Sequence, residues 1–100
     1  MRAAERKVST DMSGIVKRAV AGTLESSDVF VGIEPGDSGI EVEIESVVLA
    51  QFGDAIRAAA LDVLKEQNIS DARVRLTDRG ALDCVIRARV ETAVARAKGE

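Results

Sequence analysis

The chain has 100 residues and a formal net charge of −3, which allows one modest core and excludes two. Hydrophobic residues make up 46% of it, yet there is no His, Trp or Tyr and only two Phe, one Cys and one Pro, so the apolar mass is aliphatic. Without His it cannot build a Ser-His-Asp or Cys-His nucleophile or a His-ligated metal site, and the single Cys84 excludes an internal disulfide and a thiolate zinc cluster.

In chain order, residues 1–16 are polar and without periodicity, and are expected to form a flexible N-terminal tail ahead of a domain at 17–98; Met12 is an alternative start. From Lys17 to Ser46 the hydrophobic period is two. Val20, Gly22 and Leu24, then Val29, Val31 and Ile33, then Ile40, Val42 and Ile44, each give one apolar face, which predicts three strands. Glu25-Ser26-Ser27-Asp28 fits a tight hairpin turn between the first two, and Pro35-Gly36-Asp37-Ser38-Gly39 separates the second from the third.

From Val47 the period changes to 3.6. Val48, Leu49, Phe52, Ala55, Ile56, Ala59, Ala60, Val63 and Leu64 form one helical stripe, with Ser46 placed to cap its start and Asn68 near its end. A short strand follows, with Ala72, Val74 and Leu76 inward and Arg73 and Arg75 outward. The segment Gly80–Ala97 suits a helix through Leu82, Val85, Ile86, Val90, Ala93, Val94 and Ala97, or a strand through Leu82, Cys84, Ile86, Ala88 and Val90; its length favours the helix. The sum is β-β-β-α-β-α, a two-layer α+β domain with helices on one face of a mostly antiparallel sheet.

Charge is unevenly placed. Between Ala19 and Ile56 there are eight acids and no Lys or Arg, a poor surface for nucleic acid. The last thirty residues carry seven bases against five acids, so the two halves are expected to neutralise each other in surface pairs, or else to offer a basic face to an anionic ligand. No apolar run approaches the roughly 20 residues that span a bilayer, and the N-terminus lacks the apolar stretch of a secretory signal. A cytoplasmic protein is expected.

The chemistry-bearing residues read blandly one by one. Glu41, Glu43 and Glu45 suggest an oxygen-ligand metal site, but side chains two apart on a strand stand roughly 7 Å from each other and cannot converge on one ion. A solvated strand face, paired across strands with Arg73 and Arg75, is the expectation. Glu25 and Asp28 are explained by turn chemistry. Cys84 lies on the apolar side of its element in both readings and is expected to be a buried structural thiol. Ser26 and Ser27 have no general base in reach, so they cannot be activated nucleophiles but can be acceptors modified by another protein.

The blocks Ala19-Val20-Ala21-Gly22-Thr23-Leu24-Glu25-Ser26-Ser27-Asp28-Val29, Ile33-Glu34-Pro35, Gln51-Phe52-Gly53-Asp54-Ala55-Ile56-Arg57, and Arg79 to Cys84 running on through Glu91 resemble the acyl carrier (gamma) subunit of citrate lyase over most of residues 18–97. The resemblance implies a non-catalytic carrier. It places 2′-(5″-triphosphoribosyl)-3′-dephospho-coenzyme A, through a phosphodiester, on Ser26, the serine of Thr-Leu-Glu-Ser; Ser27 is replaced by glycine in some members. It implies an alpha subunit that exchanges the carried acetyl group for citrate, a magnesium-bearing beta subunit that cleaves the citryl thioester to oxaloacetate, and enzymes that load the prosthetic group. Arg79, Arg87 and Arg89 are the candidates to contact the anionic arm. A carrier of citramalate lyase or malonate decarboxylase, or an unmodified assembly module, are the alternatives.

Overall fold

The structure, a computed structural model, describes residues 14–99. Six elements follow in the expected order: β1 (Ala19–Gly22), β2 (Val29–Glu34), β3 (Ile40–Ser46), α1 (Leu49–Glu66), β4 (Ala72–Asp78) and α2 (Asp83–Ala97). They make a two-layer α+β domain with a four-stranded sheet ordered β1-β2-β4-β3. β1 and β2 form an antiparallel hairpin, β2 pairs antiparallel with β4, and β3 pairs parallel with β4. The readings that residues 1–13 are flexible and that Met12 is an alternative start lie outside the described residues.

Alternation fixes which side of each strand meets the helices. Val29, Val31 and Ile33 of β2 and Ala72, Val74 and Leu76 of β4 are buried, and Ile40, Val42 and Ile44 of β3 are half-buried against them. The outward residues of β3 and β4 fall in register, Glu41 opposite Arg73 and Glu43 opposite Arg75. Glu43 and Arg75 pair at 2.8 Å, the cross-strand charge pairing expected of a solvated face. Among the described residues no group of three or more potential ligands gathers around a metal position.

β1 departs from its expected phase. The inward residues are Ala19 and Ala21, the latter 3% exposed, whereas Val20 is 50% and Leu24 53% exposed. An edge strand leaning on the side of α2 has little depth beneath it, and small Ala side chains fit there while the bulkier Val20 turns to the open face. Ile15, placed in the tail by its polar neighbours, packs in the core, and the N–H groups of Val16 and Lys17 donate to the Ala97 carbonyl at the end of α2.

The helical layer covers one face of the sheet: α1 packs on β3 and α2 on β1 and β2, with the helices against each other. α1 buries Ile56, Ala59, Ala60, Val63 and Leu64, and α2 buries Ile86, Val90, Ala93, Val94 and Ala97. The apolar stripe of α1 is therefore buried only from Ile56 onward; Leu49 and Phe52 in its first turns are about half exposed. Cys84 is also exposed, contrary to expectation. The phase of α2 is set by Ile86 and Val90, and a residue two positions before Ile86 lies on the opposite side of a 3.6-residue helix.

α1 ends as Asn68 suggested. Asn68 adopts φ 61°, its N–H donates to the Lys65 carbonyl and that of Ile69 to the Leu64 carbonyl, the paired bonds of a Schellman motif. Its start differs: Ser46 is not the N-cap, which is Val48 without a side-chain cap. The Ser46 Oγ accepts from the Val48 N–H at 3.0 Å and donates to Asp78 at 2.7 Å. Asp78 is 1% exposed and also accepts from the N–H groups of Gly80 (3.1 Å) and Ala81 (2.9 Å), so this buried carboxylate ties the exits of β3 and β4 together. No helix among the described residues is long and apolar enough to cross a membrane.

Removing the acceptor leaves three part-buried donors without it, at roughly 1 kcal/mol for each bond lost. Asp78→Ala is expected to destabilise the domain by about 2–3 kcal/mol and Asp78→Asn, which keeps one carbonyl oxygen, by about half as much. Urea denaturation of the two variants checks this, and equal stability to the parent would remove the role.

Candidate functional site

Val29, Asp78 and Ser46 lie in one row across the sheet, so the chain leaves β1, β3 and β4 from the same end. The loop 23–28, the start of α1 and the start of α2 all gather there. Gly22 opens the loop at φ 88°, where a Cβ would collide with the Val29 carbonyl oxygen, so only glycine serves.

The loop is built by its own polar groups. The Asp28 N–H donates to the Glu25 carbonyl at 3.1 Å, closing the four-residue turn Glu25-Ser26-Ser27-Asp28 that the sequence suggests. Ser27 stands third in it with φ 67°. Its N–H donates to the Arg79 carbonyl at 2.8 Å while the Arg79 N–H donates to the Asp28 carbonyl at 2.9 Å. Two residues thus face one across the strand pair, with the first left-handed, which is the pattern of a G1 β-bulge. That position favours glycine, which gives a physical reason for a Ser27-to-glycine exchange.

Asp28 is the clamp of the loop. Its carboxylate accepts from Thr23 Oγ1 at 2.7 Å, from the Val29 N–H at 2.7 Å, and from Arg89 Nε and Nη2 of α2 at 3.0 Å each. The Arg89 guanidinium, with Thr23 beside it, holds the Asp28 carboxyl down at about 2, from an ordinary 3.8. Thr23 Oγ1 accepts in turn from the Glu25 N–H at 3.2 Å. The hairpin is therefore fixed to α2.

Ser26 occupies the second position of the turn and is exposed. None of the loop's hydrogen bonds engages its hydroxyl, and the nearest acid, Asp28, is held by Arg89 and Thr23. Such a hydroxyl is accessible but unactivated. Around it, Leu24, Val47, Leu49, Phe52 and Leu82 at this end of the sheet leave between 48% and 70% of their surfaces exposed. A separate concavity of about 500 Å³ lies on the open sheet face between Val20, Phe30, Gly32 and Arg75.

Of the three arginines singled out for an anionic arm, two are engaged. Arg89 grips Asp28, and Arg87 pairs with Asp83 at 2.8 Å and Asp62 at 3.0 Å. Arg79 stands beside the turn through its backbone. Sequence reading missed Thr23 and Asp78 as structural groups and the pairing of Asp28 with Arg89, 61 positions apart. Turn-forming residues at Thr23 and Asp28 were the available signal; the partner on α2 had none.

Residues 16–97 match a family model described as "ACP: Malonate decarboxylase delta subunit (MdcD)", which places the chain among acyl carrier subunits. A chain in a crystal structure of a Pseudomonas malonate decarboxylase hetero-tetramer in complex with malonate shares the fold, with a TM-score of 0.73 at 23% identity over 83% of this chain and 86% of that one. The citrate lyase acyl carrier protein of Edwardsiella ictaluri (strain 93-146) is 56% identical over 81 residues, 79% of this chain and 82% of that protein. That of Rhodopseudomonas palustris (strain BisA53) is 50% identical over 86 residues, 86% and 89% of the two. The chain belongs to the citrate lyase acyl carrier protein family.

Two outcomes follow from the loop geometry. Relief of a left-handed serine, roughly 1–2 kcal/mol, exceeds the added chain entropy of glycine, roughly 0.5–1 kcal/mol. Ser27→Gly is therefore expected to stabilise by about 0.5 kcal/mol and Ser27→Val to destabilise by about 1–2 kcal/mol, read from urea midpoints. The Asp28 carboxyl is depressed in the folded state, so its contribution is full above pH 3.8 and is lost as pH falls toward about 2. Stability measured from pH 5 to pH 2 should fall through this window, and Arg89→Gln should flatten the fall; an identical profile in the variant would count against the clamp.

Proposed function

We propose that the chain is the acyl carrier subunit of a cytoplasmic citrate lyase, bearing 2′-(5″-triphosphoribosyl)-3′-dephospho-coenzyme A on Ser26 and shuttling acetyl and citryl groups between an alpha, acyl-transferring subunit and a beta, bond-cleaving subunit. The observation that supports it most directly is the placement of Ser26: an exposed hydroxyl, bonded to no described residue, at the tip of a turn locked by a bulge and an Arg89–Asp28 bridge. The 50–56% identities to citrate lyase carriers give that serine its chemical context.

The residues present fit such a group. Ser26 offers the hydroxyl with no competing hydrogen bond in the loop, and no base stands beside it to make it react unaided. When bound, the group supplies the thiol that carries the acyl cargo. Gly22, Thr23, Ser27 and Asp28 fix the direction in which the tether leaves, and a tether on a fixed mount gives each partner site an effective concentration that reaches millimolar for short flexible links. The half-exposed Leu24, Leu49 and Phe52 beside the turn suit apolar contact with larger subunits that accept this end.

A carrier of malonate decarboxylase is the second reading, favoured by the name of the matching family model and by the shared fold. The identities weigh against it, 56% and 50% to citrate lyase carriers against 23% to the decarboxylase chain.

Intact-mass measurement of the protein from cells that possess the loading enzymes tests the reading. The parent and Ser27→Ala should carry the mass of the prosthetic group and Ser26→Ala should not. An unmodified parent would leave an assembly module, and modification surviving in Ser26→Ala would move the site.

A further inference from the structure

Arg79 differs from every other arginine among the described residues. The rest are committed: to acids at Arg18, Arg73, Arg75, Arg87 and Arg89, and to strand carbonyls at Arg57 and Arg96. The Arg79 side chain is engaged in no hydrogen bond or ion pair with a described residue, although its backbone is held on both sides. Its carbonyl accepts from Ser27 and its N–H donates to Asp28, while Asp78 before it and Gly80 and Ala81 after it are joined by Asp78's carboxylate. Ser27 N is bonded directly to the Ser26 carbonyl carbon, so the Arg79 carbonyl lies one hydrogen bond from the Ser26 peptide.

Local charge makes this position consequential. Among the described lysines, Lys17 lies ahead of β1, and Lys65 and Lys98 at the ends of α1 and α2, all at the opposite end of the sheet. Glu25 adjoins Ser26, and Asp28 is already neutralised by Arg89. A phosphate ester added at Ser26 would stand beside the Glu25 carboxylate, and among the described residues Arg79 is the uncommitted cation bonded to that turn. A guanidinium suits the task because its planar donor fork pairs with two phosphate oxygens at once.

We propose that Arg79 is a phosphate-positioning residue, whose guanidinium binds the phosphoester formed on Ser26 and holds the root of the attached group against the bulge. The inference rests on Ser26 as the attachment point, and its test is independent of whether cells load that serine. Phosphoserine placed at position 26 of the full chain by genetic incorporation serves as the probe, with the phosphate followed by phosphorus NMR through its second ionisation, ordinarily near pH 6. A guanidinium in contact favours the dianion. The parent is expected to titrate about half a pH unit lower than Arg79→Gln, with Arg79→Lys between them and Arg75→Gln, whose arginine pairs with Glu43, matching the parent. The Arg79 Nε–H resonance should shift on phosphorylation and return in high salt.

Equal titration in the parent and Arg79→Gln, with an unmoved Arg79 resonance, overturns the proposal. Intact mass of the cell-derived protein judges the Ser26 assignment separately: cofactor found on another residue refutes that assignment whatever Arg79 does to the probe.

Discussion

The bond between Arg89 and Asp28 joins the site to the domain. Without it, the 23–28 loop would be a six-residue connection on an edge hairpin, held by its own local hydrogen bonds and the two backbone bonds to Arg79. With it, the carboxylate that closes the turn is anchored to α2, a helix whose buried face reaches into the centre of the core. The forked geometry matters as much as the charge, because two N–H groups on one carboxylate fix orientation as well as distance. Thr23 and the Val29 amide occupy the remaining acceptor directions, so the carboxylate has one arrangement in which all its partners are satisfied.

Asp78 performs the corresponding task on the other side of Arg79. It joins the exits of β3 and β4, and its neighbours Gly80 and Ala81 lead directly into α2. The two carboxylates thereby bracket the segment against which the serine turn is bonded. One is solvent-screened in part and bound to a guanidinium; the other is buried and bound only to neutral donors. Titration of Asp28 acts through the turn and its bond to α2, whereas loss of Asp78 acts through the sheet end that supports the turn.

Much of the layered architecture was legible because hydrophobic period reports burial on one face. β2 and β4 are central strands with a deep core below them, and their alternation reads directly from Val29-Val31-Ile33 and Ala72-Val74-Leu76. β1 misled because an edge position reverses the usual weighting: Ala packs inward where space is shallow and Val faces out. Cys84 misled because a helix and a strand assign it opposite faces relative to Ile86, and an apolar neighbourhood in sequence does not fix helical phase. In the loop, the four-residue turn Glu25–Asp28 was legible through its residue types, but the left-handed Ser27 and the Arg89–Asp28 bridge were not. A bulge depends on which strand lies opposite, and here that strand is β4, some 50 positions away.

The edges of the sheet show how such a domain presents one end without pairing through its sides. Each edge strand carries a row of backbone groups that a second chain could match. β1 is only four residues long, and its Val20 carbonyl accepts from Arg96 of α2 at 2.8 Å. β3 is longer, but its Val42 carbonyl accepts from Arg57 of α1 at 3.2 Å, and Glu41, Glu43 and Glu45 line its outward face. In both cases a helix that already covers the core sends a guanidinium over the rim to occupy a mid-strand acceptor. Blunted edges leave the end bearing Leu24, Ser26 and Phe52 as the surface where association is least obstructed. The arginines thus divide by position, with those at the edges and on α2 spent on holding the fold, and Arg79 left beside the serine.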